Sequence, residues 1–142
     1  MTKMKKTYLL KTEEDTRSLG KQLAGEVRPG DVIALIGDLG VGKTTLTKAI
    51  AAHLGIEEEI TSPTFTILSQ YEGGRLPLYH FDVYRVHEED ELFEIGFQEY
   101  LDGDGLCVIE WADLIEGLLP AGTRWVRLAW DGTGTERICT VG

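Results

Sequence analysis

The sequence predicts an α/β fold of three layers: a mixed, mostly parallel central sheet with helices on both faces and antiparallel hairpin additions. Three observations carry that prediction. Val32-Ile-Ala-Leu-Ile36 and Leu106-Cys-Val-Ile109 are unbroken apolar runs of strand length, the pattern of strands covered on both faces. Between such runs, apolar residues recur every fourth position, at Leu19, Leu23 and Val27 and again at Leu46, Ile50 and Leu54, which places each set on one helical face. Glycine-bearing turns at Glu72-Gly-Gly-Arg75 and around Gly132 and Gly134 join apolar segments in the manner of hairpins.

The elements follow in order. Thr7 to Thr12 is a short β candidate, and Thr12 with Asp15 three residues on has the spacing of a capping box for the first helix. Arg28-Pro-Gly30 stops that helix. Val32 to Ile36 follows as a buried strand, and Lys43 to Leu54 as a second helix halted by Gly55. Thr64 to Tyr71 and Leu76 to Tyr84 read as paired strands. From His87 to Asp104 there are eight acidic residues and no Lys or Arg, interleaved with Leu92, Phe93, Ile95, Phe97, Tyr100 and Leu101. That interleaving predicts one or two short amphipathic helices with an acidic outer face. Leu106 to Ile109 is a further buried strand, and Arg124 to Trp130 with Glu136 to Val141 form a closing hairpin.

With 142 residues, residues 1–142 make a single domain. At 42% hydrophobic the chain has material for a core without disulfide staples. Fourteen Lys and Arg against 24 Asp and Glu give a net charge of −10. An acidic chain is repelled by nucleic acid and by anionic membrane surfaces, so the charge argues against unaided binding to either, but not against a nucleotide held in a local cationic pocket. Cys107 and Cys139 sit among apolar residues and read as buried reduced thiols. The short apolar stretch after the basic start is too brief for a signal peptide, and no run of 18 apolar residues occurs. The expectation is a soluble cytoplasmic protein with no membrane partner.

The chemistry centres on Gly37-Asp-Leu-Gly-Val-Gly-Lys-Thr44, which satisfies G-x-x-x-x-G-K-[ST] between a buried strand and a helix. Glycines at 37, 40 and 42 let backbone N–H groups turn inward without a side chain blocking a phosphate. The helix that follows adds unsatisfied N–H groups and its positive end. Lys43 supplies a full charge for the β- and γ-phosphates, and the Thr44 hydroxyl stands ready for Mg²⁺. Asp38, Leu39, Gly40, Val41, Gly42, Lys43, Thr44 and Thr45 are therefore candidate nucleotide-binding residues, and the predicted fold is of the phosphate-loop NTPase kind.

Hydrolysis also needs a carboxylate near the metal and a group to orient water. Glu110 ends the apolar run 106–109, and Asp82 ends the run before it. In open α/β sheets, ligands bind at that carboxyl edge. Glu110 is assigned with Thr44 to the Mg²⁺ shell and Asp82 to the attacking water, and spacing leaves the two roles exchangeable. The catalytic candidates are thus Asp82, Lys43 and Glu110. Nearby, Arg85 fits either a stabiliser of phosphate charge or a carboxylate's partner. His80 fits a packed or hydrogen-bonded histidine, and Trp111 fits packing, a wall of the nucleotide site or a partner surface.

Together, Gly37 to Thr45, Thr61-Ser-Pro-Thr-Phe65, His80-Phe-Asp-Val-Tyr-Arg85 and Glu110-Trp111 resemble the TsaE (YjeE-type) family of small bacterial phosphate-loop ATPases. The resemblance runs from about Thr12 to Glu136. It implies an ATPase that supports formation of threonylcarbamoyladenosine in tRNA by acting with the TsaD–TsaB heterodimer, with ATP and Mg²⁺ as ligands and tRNA reached through the assembly. It implies Thr44 and Glu110 at the metal and Asp82 in hydrolysis. Thr64 fits either a switch-like loop that senses the γ-phosphate or a plain turn-stabilising threonine, and the resemblance puts Thr12 and Arg137 near the base. Two rivals stay open: an ATP-gated assembly module whose hydrolysis is incidental, and a small-molecule kinase using the same loop.

Overall fold

A computed structural model describes residues 6–37, 41–60, 67–84, 86, 88–134 and 136–142. Seven strands form one sheet: β1 (Lys6–Leu10), β2 (Val32–Ile36), β3 (Leu68–Tyr71), β4 (Leu78–Asp82), β5 (Leu106–Glu110), β6 (Arg124–Trp130) and β7 (Arg137–Val141). Their order is β1-β7-β6-β2-β5-β4-β3. The central four, β6-β2-β5-β4, are parallel, while β3, β7 and β1 join antiparallel at the two sides. Four α-helices are described: α1 (Glu13–Glu26), α2 (Lys43–His53), α3 (Glu89–Glu94) and α4 (Phe97–Leu101). A 3-10 segment, Ala112–Leu118, kinks at Ile115.

The predicted three-layer α/β architecture is what forms. Alternation along the strands divides the core in two. Ile33 and Leu35 of β2, Leu78 of β4 and Leu106 and Val108 of β5 pack with Leu19, Leu23, Leu46 and Ile50 on the face carrying α1 and α2. Val32, Ala34, Phe81, Cys107 and Ile109 pack on the opposite face with Leu92, Phe97, Leu101 and Ile115. A strand whose neighbours on both sides are apolar loses the polar-out alternation, which is why these runs read as continuous.

Local signals set several boundaries. Thr12 caps α1 in a complete capping box: its Oγ1 accepts from Asp15 N at 3.2 Å, and the Asp15 carboxylate accepts from Thr12 N at 3.2 Å. Gly96, with φ +77°, breaks the acidic stretch into α3 and α4. The hairpin strands are shorter than predicted. β4 begins at Leu78, after Pro77, which has no N–H to give to a ladder. Of the predicted strand 64–71, Leu68–Tyr71 is strand, and residues 61–66 lie outside the described residues. The 3-10 segment had no counterpart in the sequence reading. Among the described residues no helix is long and apolar enough to cross a membrane.

Candidate functional site at the carboxyl edge

The parallel strands β2, β4 and β5 all end at one edge of the sheet, and the chemistry-bearing residues gather there. Lys43 opens α2 behind Gly42, whose φ of +105° is a conformation that L side chains rarely adopt. A Cβ on Gly42 would come 2.7 Å from an Arg137 guanidinium nitrogen, and one on Gly37 would come 2.6 Å from the Leu128 carbonyl oxygen. Gly37 needs glycine because the Leu128 backbone presses against it, and Gly42 chiefly because of its φ, since the arginine tip can move aside. Asp38, Leu39 and Gly40, also predicted to hold nucleotide, lie outside the described residues, as do Thr64 and Arg85. Val41 is buried in the core, and Thr44 and Thr45 are half-buried in the first turn of α2.

The two acids are neighbours. Asp82 pairs in register with Glu110 across the parallel β4–β5 ladder. Strand alternation puts His80 and Asp82 on the same face as Leu78, and Glu110 on the same face as Val108, the face that carries α2. Glu110 is 4% exposed, and its Oε2 lies 2.7 Å from His80 Nε2. Asp82 is half-buried and accepts from Tyr84 N at 3.0 Å. Burial pushes the Asp82 carboxyl above the usual aspartate range, and the neighbouring Glu110 charge adds to that. The Tyr84 N–H, His80 and Lys43 offset it in part.

Lys43 is 5% exposed; its ammonium donates to Gly37 O at 2.7 Å and lies 4.0 Å from the centre of the Trp111 ring. That ring stacks in turn on Tyr84, centroids 4.6 Å apart. Trp111 holds φ +62°, the one described non-glycine residue with positive φ. A bulky residue in the left-handed region is strained, and here the strain aims the indole at the lysine. The sequence left Trp111 between packing, a site wall and a partner surface; the structure puts it beside Lys43.

Arg137 and Thr12 reach the same edge by topology. Leu10 pairs with Arg137 on β7, and Arg137 pairs with Trp130 on β6, which runs parallel to β2. The Arg137 guanidinium lies against Gly42 and 6.0 Å from the Trp130 ring. Thr12 follows β1 there, with its hydroxyl engaged in the helix cap. The oxygen donors Thr44, Asp82 and Glu110 are of the type that a hard divalent cation accepts. Among the described residues, no three His, Cys, Asp or Glu side chains converge as a metal cluster.

Fold and site thus define a three-layer α/β protein with a G-x-x-x-x-G-K-T turn leading into a helix at the sheet's carboxyl edge. The family model described as threonylcarbamoyl adenosine biosynthesis protein TsaE matches residues 10–138. The chain belongs to the TsaE family. It is 52% identical over 107 residues to a Bacillus subtilis protein named tRNA threonylcarbamoyladenosine biosynthesis protein TsaE, covering 75% of this chain and 66% of that one. It is 43% identical over 128 residues to the Treponema pallidum protein of the same name, covering 90% and 94%. The crystal structure of Bacillus YdiB superposes with a TM-score of 0.79 at 40% identity, covering 99% of this chain and 86% of that one.

Proposed function

We propose that this protein is a Mg²⁺-dependent ATPase subunit for tRNA threonylcarbamoyladenosine formation that works with TsaD and TsaB. The observation that carries this reading is the meeting of Lys43, Asp82 and Glu110 at the carboxyl edge beside the glycine turn, in a chain of this family. The residues present fit the ligands. Gly42, at φ +105°, turns the chain into α2 without a side chain, and Lys43 is a buried cation at the turn. Two adjacent carboxyls, one held above its usual range partly by the other's charge, suit a bound cation.

A divalent ion held beside the turn would supply positive charge to offset the charge that builds up on the phosphates during transfer. The chain supplies the rest. Backbone N–H groups of the turn and the start of α2 hold phosphate oxygens, and Lys43 exchanges its bond to Gly37 O for the β- and γ-phosphates. Thr44 and Glu110 would hold the ion. Asp82 orients the attacking water by accepting its proton in a hydrogen bond. Arg137, seated over Gly42, is with Thr12 the candidate for contact near the base.

An acidic body supports indirect handling of tRNA, with partner subunits supplying basic surface. The test is a pull-down of TsaD and TsaB with and without ATP, followed by a modification assay on tRNA over many turnovers. ATP-dependent capture and sustained modification are expected. Full turnover by a D82A protein would favour the assembly-module reading, and phosphate transfer to a small acceptor instead of water would favour the kinase.

A further inference from the structure

His80 has no assigned part in the mechanism above, yet it is buried in the site. It is fully enclosed, at 0% exposure, in a strand between Tyr79 and Phe81. Its Nε2 meets Glu110 Oε2 at 2.7 Å, while its Nδ1 is buried with no hydrogen-bond partner among the described residues. Leaving a buried ring nitrogen without a partner is costly, and a leucine or phenylalanine here would avoid the cost. A bare acceptor is tolerated more readily than an orphaned N–H, so the tautomer that fits has its proton on Nε2 and donates it to Glu110.

The strand register makes this bond possible. His80 lies opposite Val108, two residues before the Asp82–Glu110 pair and on the same face. Glu110 therefore has one carboxylate oxygen tied back along the sheet. Its Oε1 is not part of that bond. A carboxylate anchored at one oxygen by a rigid ring has lost most of its freedom to rotate, which is how outer partners of metal ligands raise affinity.

Resting on the Mg²⁺–nucleotide reading above, we infer that His80 is a positioning residue: it fixes the Glu110 carboxylate through Oε2 so that Oε1 is presented to the divalent ion. It touches neither nucleotide nor metal. Its contribution is to the coupling between ion and nucleotide, not to nucleotide binding itself.

The experiment uses the full chain, a fluorescent non-hydrolysable ATP analogue and Mn²⁺ as a spin probe for the divalent site. Analogue affinity is measured without metal. Mn²⁺ half-saturation of the analogue complex is then measured by spin resonance in wild type, H80L, H80Q and E110Q. H80L is expected to raise the Mn²⁺ half-saturation about tenfold, with metal-free affinity within about twofold. H80Q, which keeps an N–H donor, should recover most of the loss. A histidine that only packs would change the melting temperature and leave Mn²⁺ half-saturation alone, and that result overturns the inference. If H80L does not fold, H80N against H80Q repeats the comparison, because the shorter amide does not reach Glu110. A shift in H80N alone supports the inference, and no shift in either overturns it. Unchanged Mn²⁺ binding in H80L with a clear loss in E110Q sinks only the role of His80. No loss in E110Q sinks the metal reading and this inference together.

Discussion

The two ends of the parallel strands are built on opposite terms. At the carboxyl edge the protein buries charge and strain: Lys43 and Glu110 are enclosed, His80 has an orphaned nitrogen, and Trp111 is held at positive φ. At the amino edge polar groups are satisfied near solvent. Arg124 pairs with Glu26 at the end of α1, Arg28 N donates to Asp31 Oδ2 at 2.8 Å, and Arg75 reaches the carbonyls of Ala24 at 2.6 Å and Val27 at 3.3 Å. There, burial pulls the Glu26 carboxyl up but the Arg124 hydrogen bond and charge outweigh it, so it titrates below its usual value. The amino edge closes helix ends and lowers the energy of the fold. The carboxyl edge gathers the buried ionisable groups that the proposed nucleotide and ion would meet. Strain and buried charge at one end, set against satisfied pairs at the other, support placing the proposed site at the carboxyl edge.

The comparison can be broken at its strongest point with K43A. Removing the cation should lower ATP turnover about 100-fold or more, while the protein still folds, with a melting temperature lowered only by the lost Gly37 hydrogen bond and Trp111 contact. Unchanged turnover would show that the carboxyl edge is not the phosphate site.

D82N tests the same edge twice. Turnover should fall about 100-fold with nucleotide still bound, as read by equilibrium binding beside phosphate release. Stability should move the other way. A carboxyl raised above its unfolded value of about 3.8 contributes stability below that pH and loses it as pH rises through the folded value. At neutral pH the amide should therefore melt higher than wild type, and the gain should vanish as pH falls towards 4. A variant less stable at pH 7 would mean that Asp82 serves the fold.

G42A adds a Cβ at φ +105°, against Arg137, and should cost about 1–3 kcal/mol in denaturant unfolding. The double variant G42A/R137A should regain the part due to collision but not the part due to backbone strain. T12A removes one half of the capping box and should cost about 1 kcal/mol. The smallest effect belongs to the amino edge. R124M breaks a half-exposed pair and should cost less than about 1 kcal/mol, with part of the effect lost in high salt. A larger loss there than at Gly42 would reverse the contrast between the edges.

Much of this was legible before any coordinates. The runs 32–36 and 106–109, the helix faces of Leu19–Leu23 and Leu46–Ile50, and the box at Thr12 are signals carried by residues within a few positions of one another. So is the glycine turn, because its demand for inward N–H groups is met by the turn's own residues. The sequence left His80 as either packed or hydrogen-bonded, because its partner is Glu110, thirty residues away. Trp111 was undecided for a similar reason: its orientation comes from a left-handed backbone and from Lys43, far along the chain. The 3-10 segment after it was missed because seven residues are too few to display a period.

Local patterning alone thus settles the α/β class and points to the turn, since backbone preference and burial periodicity are short-range. Strand order and register came only with tertiary structure. They set Asp82 beside Glu110, bring His80 within reach of it, and carry Arg137 from near the chain's end onto Gly42. These are contacts between residues distant in sequence, chosen by how two apolar sheet faces pack against their helices, and no window of neighbouring residues encodes that choice.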